Sequence, residues 1–155
     1  MADPELAQLQ SALADAGRTL FEGCESRLGP WVEARVLERL EQSGTGVTPD
    51  GAELARRAGE NAWAQVAAPL RAALLEEADG ATPLSLVRSA VGPATEALAE
   101  LGVPGVVRDG DAVGLFPDDE YDLTPGAWTD IDPTLGEPGL RWSAAKAMLT
   151  MRRHR

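Results

Sequence analysis

Nine carboxylates and no base lie between residues 109 and 137: Asp109, Asp111, Asp118, Asp119, Glu120, Asp122, Asp130, Asp132 and Glu137. Residues 138–155 reverse the sign, with five bases and no acid. One chemistry this pattern suggests is docking of a basic protein surface, with charge steering the encounter and aromatic side chains supplying buried area. The residues expected to carry it are Asp118, Asp119, Glu120, Tyr121, Asp122, Trp128, Asp130 and Asp132. A plainer reading pairs the acids with the chain's own basic C-terminal helix. A third uses Asp118-Asp119-Glu120 and Asp130-Ile131-Asp132 as hard oxygen donors for Ca²⁺ or Mg²⁺. Spacing argues against that third reading, because no window places ligands at positions one, three and five with Gly at six and Glu at twelve. The expectation is no metal and no cofactor.

Nucleophilic and acid–base catalysis need a nucleophile beside a base, held on a rigid scaffold. The single histidine, His154, stands one residue from the C-terminus among arginines, a poor place to fix a base. Cys24 falls on the apolar stripe of the first helix, where a thiol acts as a small hydrophobe. No GxxxxGK[ST], GxGxxG, HExxH or CxxC sequence occurs. These gaps remove the warrant for naming an enzyme and lean the reading toward a non-catalytic protein.

Composition bounds the rest. The chain has 155 residues, 25 Asp plus Glu against 14 Lys plus Arg, and a formal charge of -11. Such a charge repels phosphate backbones and anionic lipid, so neither nucleic acid nor membrane is expected as a direct partner. Leu, Ile, Val and Phe number 33, a lean supply that four Trp and many Ala supplement. One domain covering 1–155 fits this length. A single cysteine cannot form an internal disulfide, and no leader-like apolar run opens the sequence, so a cytoplasmic location is expected.

The elements that must position the acids follow from periodicity. Asp3-Pro4 caps a helix whose stripe is Leu6, Leu9, Leu13, Ala16, Leu20 and Cys24, and Gly29-Pro30 should end it. A second helix then spans about 31–42. Thr48-Pro49 opens a helix with inward Leu54, Ala58, Ala62, Val66, Leu70 and Leu74, kinked or divided near Pro69. Thr82-Pro83 opens another with Leu84, Val87, Val91, Ala94, Leu98 and Leu101, closed by Gly102. Residues 106–116 read as a short β-hairpin around Asp109-Gly110. Thr124-Pro125 and Asp132-Pro133 each start a helical turn. From Pro138 a last helix aligns Leu140, Ala144, Ala147, Met148 and Met151, with Trp142 and Leu149 on its other side. The first of those faces is read as core, with a contact to a partner or a second copy as the alternative.

The expected fold is therefore mainly α, an antiparallel bundle of four to five main helices (1–102) completed by the hairpin and an irregular acidic segment (103–137) and a basic C-terminal helix (138–155). The expected function is a cytoplasmic interaction or regulatory protein that binds a basic protein surface through the acidic segment, and the apolar stripes make a homodimer plausible. The alternatives are a helical small-molecule-binding protein or enzyme, with a pocket between the bundle and the C-terminal segment lined by Trp and carboxylates, and a mimic of nucleic-acid charge.

Overall fold

The computed structural model describes residues 3–44, 46–75, 82–106, 119 and 121–153. All regular structure among them is helical: α1 (Pro4–Gln42), α2 (Pro49–Leu75), α3 (Pro83–Ser89), α4 (Gly92–Glu100), α5 (Trp128–Ile131) and α6 (Gly136–Arg153), with a 3₁₀ turn at Pro133–Leu135. The mainly α expectation holds. Nearly all of the proposed hairpin lies outside the described residues, which contain no strand.

The spine is α1, 39 residues and about 58 Å long. Asp3 caps it, Oδ1 accepting from the amides of Glu5 and Leu6. Its buried stripe runs Leu13, Ala16, Leu20, Cys24, Leu28, Val32, Val36, Leu40 in steps of three and four. That stripe continues in phase through Pro30, which corrects the expected break at Gly29-Pro30. A proline inside a helix costs about 3 kcal/mol. Stopping at residue 29 would unseat Leu28, Val32, Val36 and Leu40, each contributing about 1.5–3 kcal/mol by burial. Packing therefore outweighs the lost hydrogen bond. The same balance keeps α2 a single helix across Pro69.

Register shows that α1 and α2 are antiparallel. Gly17 approaches Leu74, Gly29 approaches Gly59, and Leu40 approaches Gly51. Glycine is required where backbones touch: a Cβ on Gly17 would stand 2.5 Å from the Leu74 carbonyl oxygen, and one on Gly59 would collide with the Gly29 carbonyl. α6 returns antiparallel along the N-terminal half of α1, with Arg152 bonded to Asp3, Trp142 beside Gly17, and Leu135, just before α6, against Gly23. Trp142 also donates its indole N–H to the Leu74 carbonyl at 3.4 Å, so it wedges all three long helices together.

The expected single helix over residues 83–101 is instead two short ones. Ala90 and Val91 form a turn with i to i+3 bonds to Val87 and Arg88, and Pro93 falls in the first turn of α4. Val87, Val91, Ala94 and Leu98 stay buried, so the interruption costs little packing.

The largest correction concerns α6. The face read as core is outside: Leu140 is 76% exposed, Met151 65% and Met148 47%, with Ala144 and Ala147 also exposed. Trp142, Ala145 and Leu149 are buried instead. Both faces are apolar, so periodicity alone could not rank them, and the indole supplies the larger buried area.

Candidate functional site

Residues 121–132 meet α1 through the carboxylates of Asp122 and Asp132 and meet α3 through the backbone carbonyls of Pro125 and Gly126. Asp119, 7% exposed, accepts from the amides of Leu123 at 3.0 Å and Thr124 at 2.7 Å. Tyr121 is buried and donates its hydroxyl to the Val103 carbonyl at 2.8 Å. Asp122 takes the left-handed conformation at φ 54°, tolerable for a short polar side chain, and its carboxylate meets Arg35 at 2.9 Å. Leu123 and Pro125 are buried behind it, and Arg88 bonds the carbonyls of Pro125 and Gly126. Asp130 accepts from the amides of Gly126 and Ala127, capping α5. Asp132 accepts from the amide and hydroxyl of Thr134 and lies 3.2 Å from Arg27. Its pKa is held below the ordinary carboxylate value chiefly by the Thr134 hydroxyl, then by the amide and by the Arg27 charge.

Among the described sequence-predicted acids only Asp119 is turned inward. Asp119 and Tyr121 are buried, Asp130 and Asp132 serve as caps, and Asp122 and Asp130 are exposed. Asp118 and Glu120 lie outside the described residues. Asp122 pairs with Arg35 and Asp132 with Arg27 of α1, Glu137 pairs with Arg141 within α6, and Arg152 at the basic end of α6 joins Asp3 and Glu5. Asp119→Ala leaves two amides without their acceptor. The expected loss is about 1–3 kcal/mol, measured by urea unfolding; a variant as stable as the parent would show that Asp119 does not hold the segment.

Folding the segment down creates what periodicity could not show. Between the start of α3, α5 and the start of α6 lies a cleft of about 490 Å³, within the range of small-ligand pockets. Its apolar walls are Pro83, Leu84, Trp128, Leu140 and Trp142, and the hydroxyl-bearing side chains are Thr82, Thr129 and Ser143. None of its lining side chains is charged. Glycine sets the geometry, for the Trp128 ring rests on Gly139 where a Cβ would sit, and Gly136 admits the Thr129 methyl. The sequence signal for this junction was Gly136-Glu137-Pro138-Gly139, a small-residue helix start without an apolar pattern. Trp128, half-buried, lines the cleft rather than standing among free carboxylates.

The remaining sequence candidates are placed plainly. Cys24 is fully buried in α1, and desolvation pushes its thiol up to about 12, so the reactive thiolate is scarce at neutral pH. Native protein should react with a thiol reagent far more slowly than urea-unfolded protein; equal rates would place Cys24 at the surface. Among the described residues no cluster of three His, Cys, Asp or Glu side chains could hold a metal. Among them also, no helix is long and apolar enough to cross a membrane.

The fold and cleft define a helical protein with an uncharged pocket beside an exposed apolar helix face. Comparison of the chain with protein-family models, with curated proteins and with solved structures finds no match.

Proposed function

We propose that the chain is a non-catalytic, cytoplasmic interaction protein whose docking surface is the outer face of α6 together with the cleft at its N-terminal end. The observation that supports this most is the exposure of Leu140, Met148 and Met151 on one helix face, with Leu140 also forming a wall of the cleft. Contiguous apolar surface of this kind marks interaction sites, and a face that runs into a pocket suits a partner whose bulky side chain anchors there. After Glu137 the helix carries no acid and keeps Arg141 and Arg153 exposed, so the fitting partner is an apolar segment with acidic flanks.

The test is capture of protein partners by the tagged chain, comparing the parent with Leu140→Glu, Met148→Glu and Asp122→Asn. All three positions are exposed, so the fold should survive. The reading expects a stoichiometric partner that is lost with either Glu substitution and kept with Asp122→Asn. Retention by both Glu variants with loss in Asp122→Asn would overturn it in favour of the acidic segment and a basic partner. The volume and three hydroxyls of the cleft favour one other reading, a small apolar ligand. It would be supported by saturable quenching of tryptophan emission by an apolar dye, unaffected by Met148→Glu and lost when Ser143→Leu, at an exposed position of the lining, fills the cleft.

A further inference from the structure

Toward the C-terminal end of α1 the structure contains a buried cation whose counter-ion is distant and whose Nε has no acceptor. The Arg39 side chain is 8% exposed, and its Nε is buried without a hydrogen-bond partner. Among the described residues its one ion pair is a long one, 3.5 Å from Nη2 to Glu38 Oε1. The other oxygen of that carboxylate is 3.1 Å from Arg35 Nη1, a guanidinium that also pairs with Asp122 at 2.9 Å, so Glu38 lies closer to Arg35 than to Arg39. Taking a cation out of water costs several kcal/mol unless a well-placed anion compensates. The nearby helix carbonyls offer little, since Ser43 N–H bonds the carbonyls of Arg39 and Leu40, Ser43 hydroxyl also donates to Leu40, and Gly44 N–H bonds Glu41.

Arg39 also borders a cavity of about 290 Å³, lined otherwise by Gln42, Ser43 and the chain from Pro104 to Val106. We infer that this cavity is a binding site for a small oxyanion, a phosphate or carboxylate group, with the Arg39 guanidinium as its principal ligand. A guanidinium presents a planar fork that matches two oxygens of such a group, and charge-assisted bonds of that kind are about twice as strong as neutral ones. Gln42, whose side chain carries an amide donor, lines the same cavity, as do Gly105 and Val106. The site is separate from the cleft and does not depend on the docking surface of α6.

The experiment is thermal unfolding of the full chain at pH 7 in increasing sodium phosphate, with sodium chloride at matched ionic strength as reference and sodium acetate as a second arm. The expected result is a saturable rise in Tm with phosphate or acetate beyond that in chloride, and the arm with the larger rise identifies the oxyanion. Arg39→Met should abolish the difference, Arg39→Lys should weaken the apparent affinity about tenfold, and the exposed Arg57→Met should leave it intact. If Arg39→Met does not fold, Gln42→Leu, which removes a donor from the wall, should reduce the effect instead. Equal Tm in all three salts would overturn the inference, as would an oxyanion effect that persists when Arg39 or Gln42 is replaced.

Discussion

Gly59→Ala is expected to destabilise the protein by about 3 kcal/mol, although the same change in an ordinary helix interior stabilises by about 0.5–1 kcal/mol. The sign reverses because the new methyl would meet backbone. An ideal Cβ on Gly59 collides with the carbonyl oxygen of Gly29 and stands 3.0 Å from its carbon, and neither atom can rotate away. The two helices must then separate at their crossing, which loosens the buried stripes on both sides, Leu28 and Val32 of α1 and Ala55, Ala58 and Ala62 of α2. For a chain of this length the loss corresponds to about 6–12 °C in Tm. Gly92→Ala is the comparison, because nothing lies within 4 Å of its Cβ position, and there the Tm should hold or rise slightly. Equal responses at both positions would mean that α1 and α2 do not cross backbone to backbone.

Trp142→Ala should cost about 3–5 kcal/mol, the range for deleting a buried aromatic side chain. The indole is 9% exposed, packs where Gly17 leaves room, and reaches the Leu74 carbonyl of a third helix. Trp142→Phe separates the parts: it keeps most of the buried area and forfeits the hydrogen bond, which is worth about 0.5–1.5 kcal/mol. Met151→Gln, one residue type less apolar on the other face of α6, should stay within about ±0.5 kcal/mol. Denaturant unfolding of the three variants should therefore rank them Ala, Phe, Gln in decreasing loss. A Met151 variant as damaged as the Trp142→Ala protein would show that α6 is rotated, with its methionine face inside, and would remove the docking surface together with the fold assignment.

Much of the architecture follows from local rules that tertiary contacts had no reason to override. Asp3-Pro4 and Asp132-Pro133 both cap the elements they announce, because an aspartate accepting from the next free amides and a proline needing no amide bond are satisfied within one turn. The stripe of α2 from Ala58 to Leu74 is buried as spaced, since a helix with one apolar face has one way to bury it. Proline was read less well. The same residue type interrupts at Pro93 and is absorbed at Pro30 and Pro69, because its cost of about 3 kcal/mol is judged against the packing on either side, which a local window does not contain.

The acids were legible as a cluster and not as individuals. Nothing in their spacing separates Asp119, which holds two buried amides, from Asp122, which meets Arg35 at the surface, because the partners of both depend on how the loop lies. The Arg39 cavity was invisible for the same reason, and of the cleft the sequence suggested only a Trp-lined pocket against the C-terminal segment, with carboxylates that its walls do not contain, as each is walled by segments distant in the chain. By itself the sequence determined that the protein is helical, where most helices begin, and which face of α1 and of α2 is inside. The tertiary structure decided which of two apolar faces of α6 is buried, because only the placement of Gly17 and the Leu74 carbonyl makes room for one indole. That choice leaves Leu140, Met148 and Met151 facing water.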